Sequence, residues 1–275
     1  MRLDRYATLN YPTAGSRISE AAGDGRGVLV VCNTRASAEE LYRYVTPMAS
    51  VEESELVELG RLLHDYVDET SELPSPGELR RLALDAVAEQ DADTVYAFLS
   101  GDVRPDDRKL LIDALYDDDV GDEYDHNPLL DGDESVVLVS TSVVEAGVDV
   151  SFDTVFRDYA PIPNIVQSGG RCNRSFGGET GDVVVLRPAE PGDGNAIPPL
   201  VIHGSDGGDA LPLLRETGYV LRRHAEVGCI DESTMVSDTV GEFYKSLFDG
   251  ELEPGSEWLA EAVSLASMSD WRVNI

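Results

Sequence analysis

Two features of the chain predict an α/β fold, a mostly parallel sheet flanked by helices with a small mixed C-terminal appendage. Apolar runs of strand length, such as Val28-Leu29-Val30-Val31-Cys32 and Val136-Val137-Leu138-Val139, are continuous rather than alternating. Strands covered on both faces read this way, and parallel sheets are built from them. Between the runs lie segments whose apolar residues recur at helical spacing, so strands and helices alternate along the chain.

In order, residues 1–26 read as an irregular lead-in that ends in a glycine-rich turn, Gly23-Asp24-Gly25-Arg26-Gly27. The first strand, 28–32, is followed by a helix that places Ala38, Leu41, Val45 and Met48 on one face, with Thr34 as its N-cap. Helices at about 53–67 and 77–89 flank a break at 71–77. The first of them carries Leu56, Leu59, Leu63 and Tyr66 in register. Residues 94–99 form a second strand, and Pro105 opens a helix carrying Leu110, Leu111, Ala114 and Leu115. The stretch 117–134 is crowded with Asp and Glu and reads as a solvated loop. Strands at 136–139, at about 153–157 and at 182–186 complete the sheet, with a helix near 162–169 between the last two. Residues 187–212, rich in Pro, Gly and Asp, read as a linker, and helices are expected near 238–248 and 256–267. The domain plan is therefore lead-in 1–26, lobe 27–188, and linker with accessory region 189–275.

The 275 residues carry 53 acidic side chains against 21 basic ones, a formal net charge of −32. Lysine occurs only at 109 and 245. Disorder is one reading of such a charge, but 42% apolar residues and strong periodicity oppose it. Adaptation to high internal salt fits better, because self-repulsion of this size is screened within a few Å at molar salt. Cys32, Cys172 and Cys229 form no Cys-x-x-Cys pair, and His64, His126, His203 and His224 are scattered. Neither a disulfide framework nor a metal site is expected. No apolar run reaches the length of a membrane span, and the N-terminal residues lack the pattern of a signal peptide. A cytoplasmic location and no membrane partner are expected.

Open α/β sheets bind ligands beyond the carboxyl ends of their strands. Three segments at that edge carry chemistry. Cys32-Asn33-Thr34-Arg35 puts short polar side chains at a helix N-terminus, which suits a phosphate and equally suits a capped helix start. In Thr141-Ser142-Val143-Val144-Glu145-Ala146-Gly147-Val148-Asp149, Thr141 can donate to a nucleic-acid phosphate and Asp149 can accept from a ribose hydroxyl. Gly147 permits close backbone approach. A polar connection between two strands would look similar. Gln167-Ser168-Gly169-Gly170-Arg171-Cys172-Asn173-Arg174 places two arginines three apart beside glycines, suited to stabilising a phosphoryl group in transfer or to structural ion pairs.

Taken together, the pattern Thr-x-x-x-Glu-x-Gly-x-Asp followed by Gln-x-x-Gly-Arg-x-x-Arg resembles motifs V and VI of superfamily 2 helicases, with the Asn33 loop in the place of motif IV. DEAD-box RNA helicases differ in motif V. Phe152-Asp153, Ala160-Pro161-Ile162, the Gly-Arg-Cys-Asn-Arg variant and Phe98-Leu99-Ser100-Gly101-Asp102 are similar to the helicase–nuclease of type I CRISPR defence systems. The resemblance covers roughly residues 27–188 and implies a RecA-like lobe, the second of two that close on ATP and Mg²⁺. It further implies that Arg174, as arginine finger, and Arg171 face the γ-phosphate, that Gln167 positions water or phosphate, and that Gly147, Asp149 and Glu145 sense the nucleotide. Asn33, Thr34, Ser100 and Thr141 would hold the DNA backbone.

The departures are equally informative. The chain has no Gly-x-x-x-x-Gly-Lys-Ser/Thr phosphate loop, and the family's His-Asp nuclease domain is not expected in it; its one adjacent His-Asp pair is His64-Asp65. The expected arrangement is a split, truncated or partial helicase whose first lobe and nuclease domain lie on another chain or in a missing N-terminal part. Single-stranded DNA and a CRISPR surveillance complex would be its partners. A lobe of a DNA repair or branch-migration translocase, or a non-catalytic nucleic-acid-binding remnant, remains an alternative.

Overall fold

A computed structural model of the chain describes residues 8–23, 25–46, 56–115, 129, 132–145, 150–172, 181–189, 210–224 and 229–248. Its centre is a sheet of six strands, all paired in parallel. The strands are β1 (Thr8–Asn10), β2 (Gly27–Cys32), β3 (Thr94–Leu99), β4 (Ser135–Thr141), β5 (Thr154–Asp158) and β6 (Asp182–Ala189). Their spatial order is β1-β6-β5-β2-β4-β3. β2 and β5 are buried at every position, which is why their sequences are apolar throughout instead of alternating.

Successive residues of a strand face opposite sides, so each strand feeds two cores. Val28, Val30 and Cys32 pack with Val137, Val139, Phe156 and Leu186 under α1 (Tyr11–Ala21) and α2 (Arg35–Val45). Leu29 and Val31 pack with Val95, Leu99, Val136, Leu138 and Val155 on the other face. That face is covered by α3 (Leu59–Thr70), α4 (Pro76–Gln90) and α5 (Pro105–Ala114). A third cluster joins Tyr159, Ile162, Ile165 and Val185 to α7 (Ala210–His224) and α8 (Val240–Phe248), seating the appendage beside α6 (Ile162–Gly169). Among the described residues no helix is long and apolar enough to cross a membrane.

Local signals account for the helix starts. Thr34 is the N-cap of α2, accepting from the Ser37 amide at 3.1 Å. Ser75 and Glu78 form a capping box that spans Pro76, the first residue of α4. Pro105 begins α5 as expected. Buried Arg80 on α4 donates through Nε to the Ala114 carbonyl and through Nη2 to Asp113, tying down the end of α5.

Three regions differ from expectation. The lead-in is not irregular: it contains β1 and α1. The buried positions Tyr11, Ala14, Gly15 and Ile18 do have helical spacing, but two of them are too small to register as an apolar stripe. Gly15 is needed because a Cβ there would lie 2.7 Å from Tyr44 Cβ and 2.8 Å from its carbonyl oxygen. The helix expected at 53–67 begins only at Leu59; Leu56 and Val57 are buried in an extended segment against β3, with the Tyr96 amide donating to the Val57 carbonyl at 2.9 Å. Finally, β6 runs to Ala189, and α7, preceding the expected helix near 238–248, had no clear sequence signal. The helix expected at 256–267, most of the linker and most of the acidic loop lie outside the described residues.

Candidate functional site

The parallel register brings the carboxyl ends of β3, β4, β2 and β5 to one edge. Cys32 is opposite Thr141, Leu99 opposite Ser140, and Val31 opposite Arg157. The residues that follow these positions, Asn33, Ser100 and Asp158, therefore stand on adjoining strand ends. All four candidate DNA-backbone residues lie here. An exposed ion pair between Arg35 and Asp102 joins the loop after β2 to the loop after β3.

The four candidates differ in what their polar groups already do. The Asn33 amide accepts from Arg157 Nη1 at 2.7 Å and donates to the Tyr159 carbonyl at 2.7 Å. The Asn33 backbone amide donates to Asp158 Oδ2 at 3.1 Å. Thr34 is engaged as a helix cap, and its hydroxyl also donates to Ser37 Oγ at 2.9 Å. Buried Ser100 accepts from the Asp102 amide at 3.3 Å. Thr141 is partly exposed, and among the described residues nothing partners its hydroxyl.

A short 3₁₀ turn, Ser142–Val144, carries the chain from β4 to Glu145. The Glu145 side chain is 5% exposed and is paired through Oε1 with Arg157 Nη2 at 2.9 Å. The same oxygen accepts from Ser168 Oγ at 2.9 Å, and Oε2 accepts from Asn164 Nδ2 at 3.4 Å, both on α6. The Glu145 backbone carbonyl accepts from Arg171 Nη2 at 3.0 Å. Glu145 was expected at the nucleotide; its carboxylate is instead turned inward, bonded to β5 and α6. Carboxylates are seldom buried unless paired, and this one has three donors.

α6 ends in the Gly169-Gly170 pair, where the Arg171 and Cys172 amides donate to Ser168 and Gly169 at 3.0 and 2.9 Å. The Phe152 amide donates to the Arg171 carbonyl at 2.9 Å, and Phe152 forms a parallel bridge with Cys172. Arg171 is thus held at both backbone and side chain. Partial burial lowers its guanidinium pKa from the ordinary value, though an arginine stays cationic after any such shift. Gln167 is exposed on α6, one turn before Arg171. Gly147, Asp149 and Arg174 lie outside the described residues.

Sequence reasoning missed Arg157, which is 1% exposed and links the loops on either side of it. The signal was present: a charged residue inside a fully buried strand, Thr-Val-Phe-Arg-Asp, must have partners.

Residues 82–176 match the family described as CRISPR-associated nuclease/helicase Cas3, C-terminal. Over 212 residues, 70% of this chain, the sequence is 37% identical to the CRISPR-associated nuclease/helicase Cas3 of Haloferax volcanii. The chain spans only 21% of that relative's length. Crystal structures of T. fusca Cas3 with ADP and with ATP superpose with a TM-score of 0.55 at 20% and 17% identity. Each covers 97% of this chain, which corresponds to 26% and 25% of theirs. These structural likenesses speak to the fold. The chain is similar to the C-terminal part of the Cas3 helicase–nuclease and has the RecA-like α/β fold of that part.

Proposed function

We propose that the chain is the second motor lobe of an ATP-dependent helicase that translocates on single-stranded DNA in CRISPR interference, working with a phosphate-binding first lobe, a nuclease domain and a surveillance complex supplied outside this sequence. The observation that carries the reading is the direct tie between the two helicase motifs: Arg171 donates to the Glu145 carbonyl while Ser168 and Asn164 hold its carboxylate. A motor lobe needs its DNA-facing and nucleotide-facing loops to move as one body, and this bonding supports that role.

The residues fit a triphosphate arriving from a facing lobe. Arg171 is half-buried and cationic, with its backbone fixed, and Gln167 is exposed one turn before it. Arg171, and Arg174 as finger, would bind the γ-phosphate, Gln167 would orient water or phosphate, and Gly147 and Asp149 would sense the nucleotide. When bound with Mg²⁺, ATP supplies the phosphoryl transfer whose free energy drives stepping. On the DNA side, Thr141 has the available hydroxyl, whereas Asn33, Thr34 and Ser100 shape the strand ends from which it projects.

The test is a two-lobe motor reconstituted at high KCl, assayed for ATP hydrolysis with and without single-stranded DNA and for DNA binding by anisotropy. Arg174→Ala is expected to lower turnover by about 10³-fold or more with DNA binding nearly intact. Thr141→Ala is expected to weaken DNA binding several-fold, since one neutral hydrogen bond is worth about 1 kcal/mol. The chain by itself, lacking a phosphate loop, is expected to hydrolyse no ATP. DNA-stimulated turnover by the pure chain, or loss of DNA binding as the main effect of Arg174→Ala, would overturn the reading.

A further inference from the structure

We propose that Arg157 is a positioning residue that locks three loops of the carboxyl edge into one unit, so that the arginine-bearing end of α6 keeps a fixed relation to the DNA-facing strand ends. The consequence for turnover rests on the helicase reading above; the mechanical link does not.

Arg157 sits at the penultimate position of β5, beside Val31 of β2. Its guanidinium is almost wholly enclosed. Nη1 donates to Val31 O at 3.2 Å, to Asn33 Oδ1 at 2.7 Å and to Asp158 O at 2.9 Å, which fixes the exit from β2. Nη2 pairs with Glu145 Oε1 at 2.9 Å, which fixes the segment after β4. Glu145 passes the link on: its carboxylate takes Ser168 and Asn164 on α6, and its carbonyl takes Arg171. One fork therefore spans the loop of Asn33, the loop of Glu145 and the helix end of Arg171. Nε has no acceptor among the described residues. The guanidinium thus spends its hydrogen bonding on acceptors that belong to different loops.

A buried charge confined to stabilising the core could be exchanged for an apolar side chain of similar volume at little cost. A charge retained for geometry cannot. Planar, directional donors set the spacing of Asn33 and Glu145, which a single ammonium point charge does not reproduce. A displacement of about 1 Å at a residue that contacts reacting atoms can cost on the order of 100-fold in rate. The pair is thus placed to act on kcat through Arg171 without touching either ligand.

Three variants test this: Arg157→Lys, the neutral pair Arg157→Met with Glu145→Gln, and Ser168→Ala. On the chain alone, amide hydrogen exchange read by mass spectrometry is expected to rise together in peptides covering 32–35, 142–145 and 168–172 in the neutral-pair variant. Circular dichroism is expected to keep the wild-type spectrum. Increased exchange only around the substituted residues would overturn the link. In the reconstituted motor, the same variant is expected to lower kcat on the order of 10- to 100-fold, with KM for ATP and the DNA dissociation constant within about twofold. Arg157→Lys should keep the fold but not the wild-type kcat, and Ser168→Ala should give a smaller kcat loss of the same kind. Wild-type kcat in a folded neutral-pair motor would show the pair to be structural only. If the wild-type motor itself fails to turn over, the helicase reading falls, and the exchange experiment still decides the link.

Discussion

Asn33 donates from Nδ2 to the Tyr159 carbonyl at 2.7 Å, bridging the exits of β2 and β5 across the sheet edge. The other end of the same amide accepts from Arg157. A side chain with both ends bonded inward has little left for DNA. Asn33→Ala is therefore expected to destabilise the chain by about 1–3 kcal/mol, because it leaves a buried cation short of an acceptor and a carbonyl short of a donor. Thermal melting at high KCl measures this. An unchanged melting temperature together with a large loss of DNA affinity would instead assign Asn33 to the nucleic acid.

That contrast shows where sequence reading reached and where it stopped. The parallel sheet was legible because β2 and β4 are uninterrupted apolar runs, and burial on both faces leaves no other pattern. Thr34, Pro105 and the boundaries of α6 were legible because capping and proline geometry act over a few residues. α1 was not, because its contact with Tyr44 relies on the absence of a side chain at Gly15. In the site, residue types indicated chemistry but not direction. Glu145 and Asn33 look equally able to face a ligand or the interior, and only the placement of Arg157 decides between them. Arg157 itself lay outside every motif; a charge within an apolar strand signals that it has partners but not which ones, because tertiary pairing leaves no local periodicity.

The three cysteines should separate by reactivity. Burial pushes the Cys172 thiol up to about 12, with the Asp182 and Asp153 carboxylates adding to the shift. Burial, then Asp158, raises buried Cys32 well above its ordinary value as well. The thiolate is the nucleophile, so at pH 8 Cys172 stays almost wholly in its unreactive thiol form. Exposed Cys229 is expected to be alkylated in the native chain while the other two are spared, and all three should react after denaturation. Peptide mass spectrometry after brief iodoacetamide treatment checks this; rapid native labelling of Cys172 would show that the Phe152–Cys172 bridge opens.

Acid should loosen the appendage through Asp231. Its carboxylate accepts from the Ser233 hydroxyl, from the Thr234 hydroxyl at 2.6 Å and from the Thr234 amide at 3.0 Å, and these bonds hold its pKa well below the usual range. A depressed carboxylate contributes stability that is complete above its unfolded value, about 4, and is lost as pH falls through the folded value. Asp231→Ala is thus expected to melt earlier than wild type at pH 7, with the gap closing on acidification below about pH 4. A gap that stays constant down to pH 2 would remove ionisation from the explanation.

Salt should raise the stability of the whole chain. The formal charge of −32 arises from carboxylates spread along the sequence, and lysine occurs only at 109 and 245. Lys109 and several exposed arginines are already engaged locally, as in the pairs Lys109 with Asp113, Arg104 with Asp107 and Arg43 with Glu40. These pairs are solvent-exposed and contribute about 0–1 kcal/mol each, so they do not offset the repulsion among the remaining acids. Screening does. The screening length falls from about 10 Å at 0.1 M to about 3 Å at 1 M, and unfolding relieves repulsion only while that length spans neighbouring carboxylates. Melting followed by circular dichroism is expected to move upward between about 0.1 M and about 3 M KCl, most steeply where the screening length crosses the spacing of surface acids. Sucrose at matched osmolality separates charge screening from preferential exclusion: it should give the smaller rise. A melting temperature unchanged across the KCl series would mean that the acidity is not an adaptation to salt, and sucrose matching KCl would assign the effect to solvent exclusion.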